Sequence, residues 1–136
     1  MDYSGRVLEY FENPENSGSL PEAHGVGTVG NPACGDIIKV YISVEGGRIS
    51  DVKYKTMGCA AAIACSESMA RLVKGKSLEE LLPEGKTREE AVEILREAIL
   101  SDLGGLPSLK THCSMLAMDG FYNAINDYLG GGEDEK

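Results

Sequence analysis

The sequence contains few basic residues and no long apolar run. Its 136 residues include 13 Lys and Arg against 22 Asp and Glu, which gives a formal net charge of −9. Because binding to a phosphate backbone requires clustered Lys and Arg, this balance argues against nucleic acid as a partner. An acid, Asp2, stands near the start and no uninterrupted apolar stretch follows, so the sequence predicts neither a secretory signal nor a membrane span. We therefore expect a cytoplasmic protein without membrane contacts.

The cysteines never form a Cys-x-x-Cys pair, which argues against a zinc finger or a zinc ribbon. The chain has four cysteines, at positions 34, 59, 65 and 113. In a chain without a secretory signal, cysteines are more often metal ligands or reactive thiols than disulfide partners. They are therefore the main indication of function.

The pattern of apolar residues predicts a single α+β domain. No internal repeat is visible, and 42% hydrophobic residues suffice for one core, so we expect one domain over residues 1–129 and a disordered acidic tail over 130–136. Alternating runs at 37–44 and 48–56 predict a β-hairpin, and the Gly- and Pro-rich residues 16–36 predict a long loop. Helices are predicted at residues 3–12, 60–74 and 114–129. Two capping boxes, which begin at Ser77 and Thr87, predict the starts of two further helices. The expected fold is a small antiparallel sheet with several helices packed against it.

Cys34 and Asp36 flank Gly35, just before the first run of the hairpin. Residues on either side of a glycine can both point at one centre where the backbone turns, and glycine lets the backbone approach an ion closely. The plainer alternative is a loop cysteine beside a turn-forming aspartate. The triplet alone leaves both interpretations open.

Cys59 and Cys113 both stand where a predicted helix begins, and His112 precedes Cys113. A thiol at a helix N-terminus lies near the positive end of the helix dipole, which lowers its pKa and favours the thiolate that a metal binds. The alternative for Cys59 is a small buried side chain at the end of a strand. With Cys34 and Asp36, these residues predict a mixed Cys/Asp/His metal site.

Cys65 lies inside the helix predicted at 60–74, in an apolar run. It is about 8 Å further along the helix axis than Cys59, at about 1.5 Å per residue. We therefore interpret Cys65 as a buried structural cysteine, with an auxiliary redox role as the alternative. His24 is interpreted as a solvated loop residue.

Five groups of motifs occur in order along the chain. They are Tyr3-Ser4 with Asn13-Pro14-x-Asn16-x-Gly18, Gly30-x-Pro32-Ala33-Cys34-Gly35-Asp36, Lys55-Thr56-x-Gly58-Cys59-x-Ala61-Ala62-Ile63-Ala64, Val73-Lys74-Gly75-Lys76-Ser77-Leu78, and Lys110-x-His112-Cys113-Ser114-x-Leu116-Ala117. In this order they resemble the IscU and NifU N-terminal family of iron–sulfur cluster assembly scaffolds. Each motif is weak alone, but the set covers nearly the whole chain and is specific.

The resemblance implies a three-stranded antiparallel sheet and an assembly site for a labile cluster. The residues that match the family's site are Cys34, Asp36, Cys59, His112 and Cys113, with Lys110 as a nearby basic residue. Cys113 would accept persulfide sulfur. The implied cargo is a 2Fe–2S cluster built from Fe²⁺, with a 4Fe–4S form on a homodimer, and Zn²⁺ is expected to occupy the same ligands.

The resemblance also implies a set of protein partners. These are a cysteine desulfurase that supplies sulfur and apo-proteins that receive the cluster, and no enzymatic turnover is expected. The family's segment for an Hsp70-type chaperone, Leu-Pro-Pro-Val-Lys, appears here as Leu106-Pro107-Ser108-Leu109-Lys110, with two residues changed. The stretch around residues 83–103 looks longer than is usual in the family.

Three other functions involve the cysteines of this chain. A zinc-dependent structural or interaction protein would hold its metal tightly and acquire no sulfide. A cysteine hydrolase built on His112, Cys113 and Asp36 is disfavoured, because adjacent residues on a helix point about 100° apart and no oxyanion-hole motif accompanies them. A redox protein pairing Cys59 with Cys65 is disfavoured because the two do not form a Cys-x-x-Cys motif.

Overall fold

An antiparallel sheet of three strands forms one layer of the protein, whose computed structural model describes residues 5–31, 36–105 and 112–131. The strands are Gly25–Asn31 (β1), Asp36–Glu45 (β2) and Arg48–Met57 (β3), paired in the order β1-β2-β3. Alternation along β2 buries every second side chain, because successive residues of a strand point to opposite faces. This confirms the predicted α+β class and the hairpin, whose turn is made by Gly46 and Gly47 with φ of 61° and 76°.

Helices form the other layer. They are Gly5–Glu12 (α1), Ala60–Val73 (α2), Leu78–Leu81 (α3), Arg88–Asp102 (α4) and His112–Asn126 (α5), and a kinked segment at Asp127–Gly131, in which Gly130 has a φ of 101°, follows α5. Helix α5 packs on β1 and β2, α2 packs on β3 and α5, and α1 packs on α2. Both predicted capping boxes are present, at Ser77 before α3 and at Thr87 before α4. Within the described residues, no helix is both long enough and apolar enough to cross a bilayer.

Strand β1 corrects the prediction of a long loop over residues 16–36. Gly25 and Gly27 suggested turns, but both are buried in the strand beneath α5. A Cβ on Gly27 would collide with the backbone of Gly120 and Ala124, and one on Gly25 would collide with the Ala124 carbonyl. These glycines therefore allow a helix to approach a strand closely, which local sequence patterns do not distinguish from a loop.

Candidate metal centre

Three of the predicted ligands lie at the ends of three different elements and meet at one edge of the fold. Asp36 is the first residue of β2, Cys59 is the N-cap residue of α2, and Cys113 is the second residue of α5. The pairing of Ile37 with Met57 brings the start of β2 next to the end of β3, and the chain then reaches Cys59 within two residues. The sheet register and the packing of α5 therefore bring together residues that are far apart in sequence.

The ligand atoms of Asp36, Cys59 and Cys113 all lie within 4.8 Å of one another. The Cys113 thiol donates a hydrogen bond to Asp36 Oδ2 over 3.7 Å. Asp36 and Cys113 are 3% and 0% exposed, and Cys59 is half-buried. Metal–sulfur bonds of about 2.3 Å in a tetrahedral site place ligand atoms about 4 Å apart, so this spacing suits one metal ion.

The backbone at Cys59 leaves its thiol available to the group. Cys59 has extended dihedral angles, φ −81° and ψ 176°, and its side chain makes no capping hydrogen bond. Nearby, Ser66 on α2 binds Thr56 on β3 through their hydroxyl oxygens, 2.8 Å apart, and also donates to the Ala62 carbonyl. The bond between Thr56 and Ser66 joins the end of β3 to α2, the two elements that Cys59 lies between.

Burial governs the acidity of Cys113. Burial first, and then the neighbouring Cys65, Cys59 and Asp36, raise the pKa of the Cys113 thiol far above its usual range. The expectation that a helix N-terminus would lower the pKa of this thiol was therefore wrong, because burial and like charge outweigh the dipole. A bound cation favours the thiolate, because its charge offsets both burial and mutual repulsion.

Other predicted residues lie elsewhere. Cys34, Lys110 and the predicted chaperone segment 106–110 lie outside the described residues, and His112 is described only by its backbone, as the first residue of α5. Cys65 is fully buried within α2, as predicted, and burial, followed by the nearby Cys59, raises the pKa of its thiol well above the usual range. His24 is exposed, and its Nδ1 accepts a hydrogen bond from the Val44 amide.

Sequence reasoning missed Glu67, a fully buried carboxylate on α2. It accepts hydrogen bonds from the Tyr54 hydroxyl at 2.7 Å, from Arg71 Nε at 2.7 Å, and from the backbone amide and side-chain amide of Asn16 at 3.0 and 2.8 Å. An acid on a helix whose other residues are mostly small or apolar was the available signal. Its partners attach the loop after α1 to the helix layer, so Glu67 has a structural role.

One family model matches almost the whole chain. The model of the NifU-like N terminal domain matches residues 2–134. This match includes all three strands and all five α-helices of the described structure.

Known proteins are similar over most of their length. The "Iron-sulfur cluster assembly scaffold protein IscU 1" of Archaeoglobus fulgidus is 48% identical over 127 residues, which are 93% of this chain and 76% of that protein. The "Iron-sulfur cluster assembly scaffold protein IscU" of Haemophilus influenzae is 45% identical over 132 residues, which are 94% of this chain and 96% of that protein.

Solved structures share the fold. A putative scaffold protein for the SUF system of Fervidobacterium islandicum has a TM-score of 0.68 at 22% identity, covering 90% of this chain and 96% of that one. The N-terminal part of a NifU-like protein of Brucella abortus has a TM-score of 0.64 at 24% identity, covering 92% of each chain. At these identities the likeness supports the architecture alone.

Proposed function

The chain belongs to the family of the NifU-like N terminal domain, and on that premise we propose that it is an iron–sulfur cluster assembly scaffold. The observation that carries the proposal is the meeting of Asp36, Cys59 and Cys113 within one metal-sized space. Two thiolates and a carboxylate form a donor set that suits iron or zinc. The cluster is the protein's cargo, built at this site and then given away.

The proposed ligands are three cysteines and two weaker donors. Cys34, Cys59 and Cys113 would supply thiolates, and Asp36 and His112 would compete for the remaining position. Clusters that serve stable electron transfer are usually held by four thiolates. A carboxylate or imidazole in one position is more easily displaced by an incoming cysteine, so the ligand choice favours release.

The choice between Asp36 and His112 also sets the charge of the site. A carboxylate ligand adds one negative charge that a neutral imidazole does not. Exchange between the two would therefore change how strongly the protein holds a cluster. The buried position of Asp36 supports this idea, because charge differences count more where water is excluded.

Cys113 would take sulfur from a cysteine desulfurase. Its thiolate attacks the outer sulfur of the enzyme's persulfide, a new sulfur–sulfur bond forms on Cys113, and the enzyme's cysteine leaves as a thiolate. Lys110, three positions before Cys113 in the sequence, would be the nearby basic residue of the site. Because Cys113 has no exposed surface, part of the structure that covers it has to move to admit the donor.

The proposed cargo is a 2Fe–2S cluster, with a 4Fe–4S form on a homodimer. The proposed partners are the desulfurase, apo-proteins that accept the cluster, and an Hsp70-type chaperone acting on residues 106–110. The protein would carry and transfer its cluster without enzymatic turnover of its own.

Anaerobic reconstitution tests the proposal. The protein is mixed with Fe²⁺, cysteine and a catalytic amount of cysteine desulfurase, and then with an apo-ferredoxin. We expect thiolate-to-iron charge-transfer bands that decay as the ferredoxin gains its cluster. If no bands form while one zinc ion per chain stays tightly bound, the function is that of a zinc-dependent structural protein.

A further inference from the structure

Gly58 lies between β3 and Cys59, and the space beside its Cα is filled by the carboxyl group of Asp36. A Cβ on Gly58 would collide with Asp36 Oδ1, and it would lie 2.9 Å from the carboxyl carbon and 3.2 Å from the Cβ of Ala62. Contacts under 3.0 Å are essentially never made by real Cβ atoms. Any larger residue at position 58 therefore has to displace Asp36 or the first turn of α2.

The backbone does not require glycine at this position. Gly58 is not among the glycines with positive φ, unlike Gly46 or Gly75. An alanine could adopt its backbone conformation, so the constraint comes from the side chain of Asp36. We propose that Gly58 is a positioning residue. Because it has no side chain, the Asp36 carboxylate has room for the orientation that it takes in the metal site.

This orientation decides which oxygen of Asp36 faces the thiols. Oδ1 fills the space beside Gly58, and Oδ2 accepts the hydrogen bond from Cys113 at 3.7 Å. Asp36 therefore points Oδ2 toward Cys113, and in the proposed site it would bind a metal through that oxygen. The inference rests on the proposed site and adds the residue that orients one of its ligands.

Gly30 offers a matched control on the neighbouring strand. A Cβ on Gly30 would lie 3.5 Å from the backbone oxygen of Asp36 and 3.6 Å from Cγ1 of Ile37, which are ordinary van der Waals contacts. Gly30 also lacks a positive φ. Gly30→Ala and Gly58→Ala thus add the same methyl group near Asp36, but only the second meets its carboxylate.

Titration with Co²⁺ alone, under anaerobic conditions, tests this role without cluster assembly. We expect Gly58→Ala to weaken Co²⁺ binding by about 10-fold or more, the scale seen when residues that orient ligands are changed. The cobalt absorption bands of Gly58→Ala should match those of Asp36→Ala, whereas Gly30→Ala should keep the wild-type spectrum and affinity. Wild-type behaviour of Gly58→Ala would overturn the proposal.

The double variant Gly58→Ala/Asp36→Ala separates positioning from a general role in folding. With the carboxylate gone, the added methyl group has room, so the double variant should bind Co²⁺ as Asp36→Ala does. If Gly58→Ala fails to fold and the double variant folds, the proposal is supported; if both fail, it is wrong. If Asp36→Ala keeps the wild-type spectrum, Asp36 is not a Co²⁺ ligand, which overturns both its place in the proposed site and the role of Gly58. If Asp36→Ala changes the cobalt spectrum and Gly58→Ala does not, the proposed site stands and Gly58 has no positioning role.

Discussion

Glu67 and Asp36 are both buried carboxylates, but the groups around them have opposite chemistry. Glu67 accepts hydrogen bonds from a hydroxyl, from two amide groups and from the guanidinium of Arg71. Asp36 lies beside the thiols of Cys59 and Cys113, which become negative when they lose their protons. One carboxylate is surrounded by donors and the other shares its space with further metal ligands.

The first cluster is Glu67 with its hydrogen-bond partners, and the second is Asp36 with Cys59 and Cys113. The pKa values in the two clusters respond differently to burial. Burial alone would raise the pKa of Glu67, but hydrogen bonds from Tyr54, Arg71 and Asn16 lower it below its usual value. At the other cluster, burial and like charges raise the pKa of Cys113. The charge of Glu67 is therefore neutralised within the fold, whereas the group of Asp36, Cys59 and Cys113 would need a bound cation to stabilise its negative charges. Substitutions in the metal site should therefore lower metal affinity, whereas substitutions around Glu67 should lower the free energy of unfolding.

The largest effect is expected from removing a thiol of the metal site. Cys59→Ser and Cys113→Ser should each lower Zn²⁺ affinity by more than about 100-fold, beyond what changes around a site usually cost. Competition with a coloured chelator measures this. Cys65→Ser serves as the control and should keep wild-type affinity, because Cys65 lies outside the ligand group. Equal losses in all three variants would contradict the assignment.

Removing Glu67 should affect stability and spare metal binding. Glu67→Ala leaves Arg71 and Tyr54 without their buried partner, so the free energy of unfolding should fall by about 3 kcal/mol. Tyr54→Phe, which removes one hydrogen bond, should cost about 1 kcal/mol. Urea unfolding measures both. A variant that stays stable but loses Zn²⁺ would show that Glu67 belongs to the metal site.

The low pKa of Glu67 predicts how stability depends on pH. Because its native pKa is below the unfolded value of about 4.3, the unfolded chain binds more protons between the two values. Its contribution is therefore complete above the unfolded pKa and is lost as pH falls through the native pKa. The stability difference between wild type and Glu67→Gln, from urea unfolding at pH 7 to 3, should be constant and then shrink. A difference that grows on acidification would be inconsistent with this sign.

The smallest effect is expected at Ser66, which lies between the two clusters. Ser66→Ala removes its hydrogen bonds with Thr56 and the Ala62 carbonyl, and should cost about 1 kcal/mol of unfolding free energy. Zn²⁺ affinity should stay within a factor of a few of wild type. Ser50→Ala, at an exposed position of β3, is the matched control and should be neutral. A large loss of affinity would indicate that the two clusters are coupled.

Local signals predicted much of the fold. The Gly46-Gly47 turn and the capping boxes at Ser77 and Thr87 were read from neighbouring residues, and the structure contains each of them. Strand β1 was missed because Gly25 and Gly27 serve the close approach of α5, which begins more than eighty residues later. Glu67 was missed for the same reason, since its partners include Asn16 and Tyr54 from other elements.

By itself, the sequence determined which residues have the chemistry of metal ligands and that they stand at element ends. Turns, caps and residue types act over a few positions, so they can be identified without the fold. Only the tertiary structure decided that Asp36, Cys59 and Cys113 come within 4.8 Å, and that burial raises the pKa of the Cys113 thiol. Distances and burial depend on packing between distant elements, and local sequence carries no measure of either.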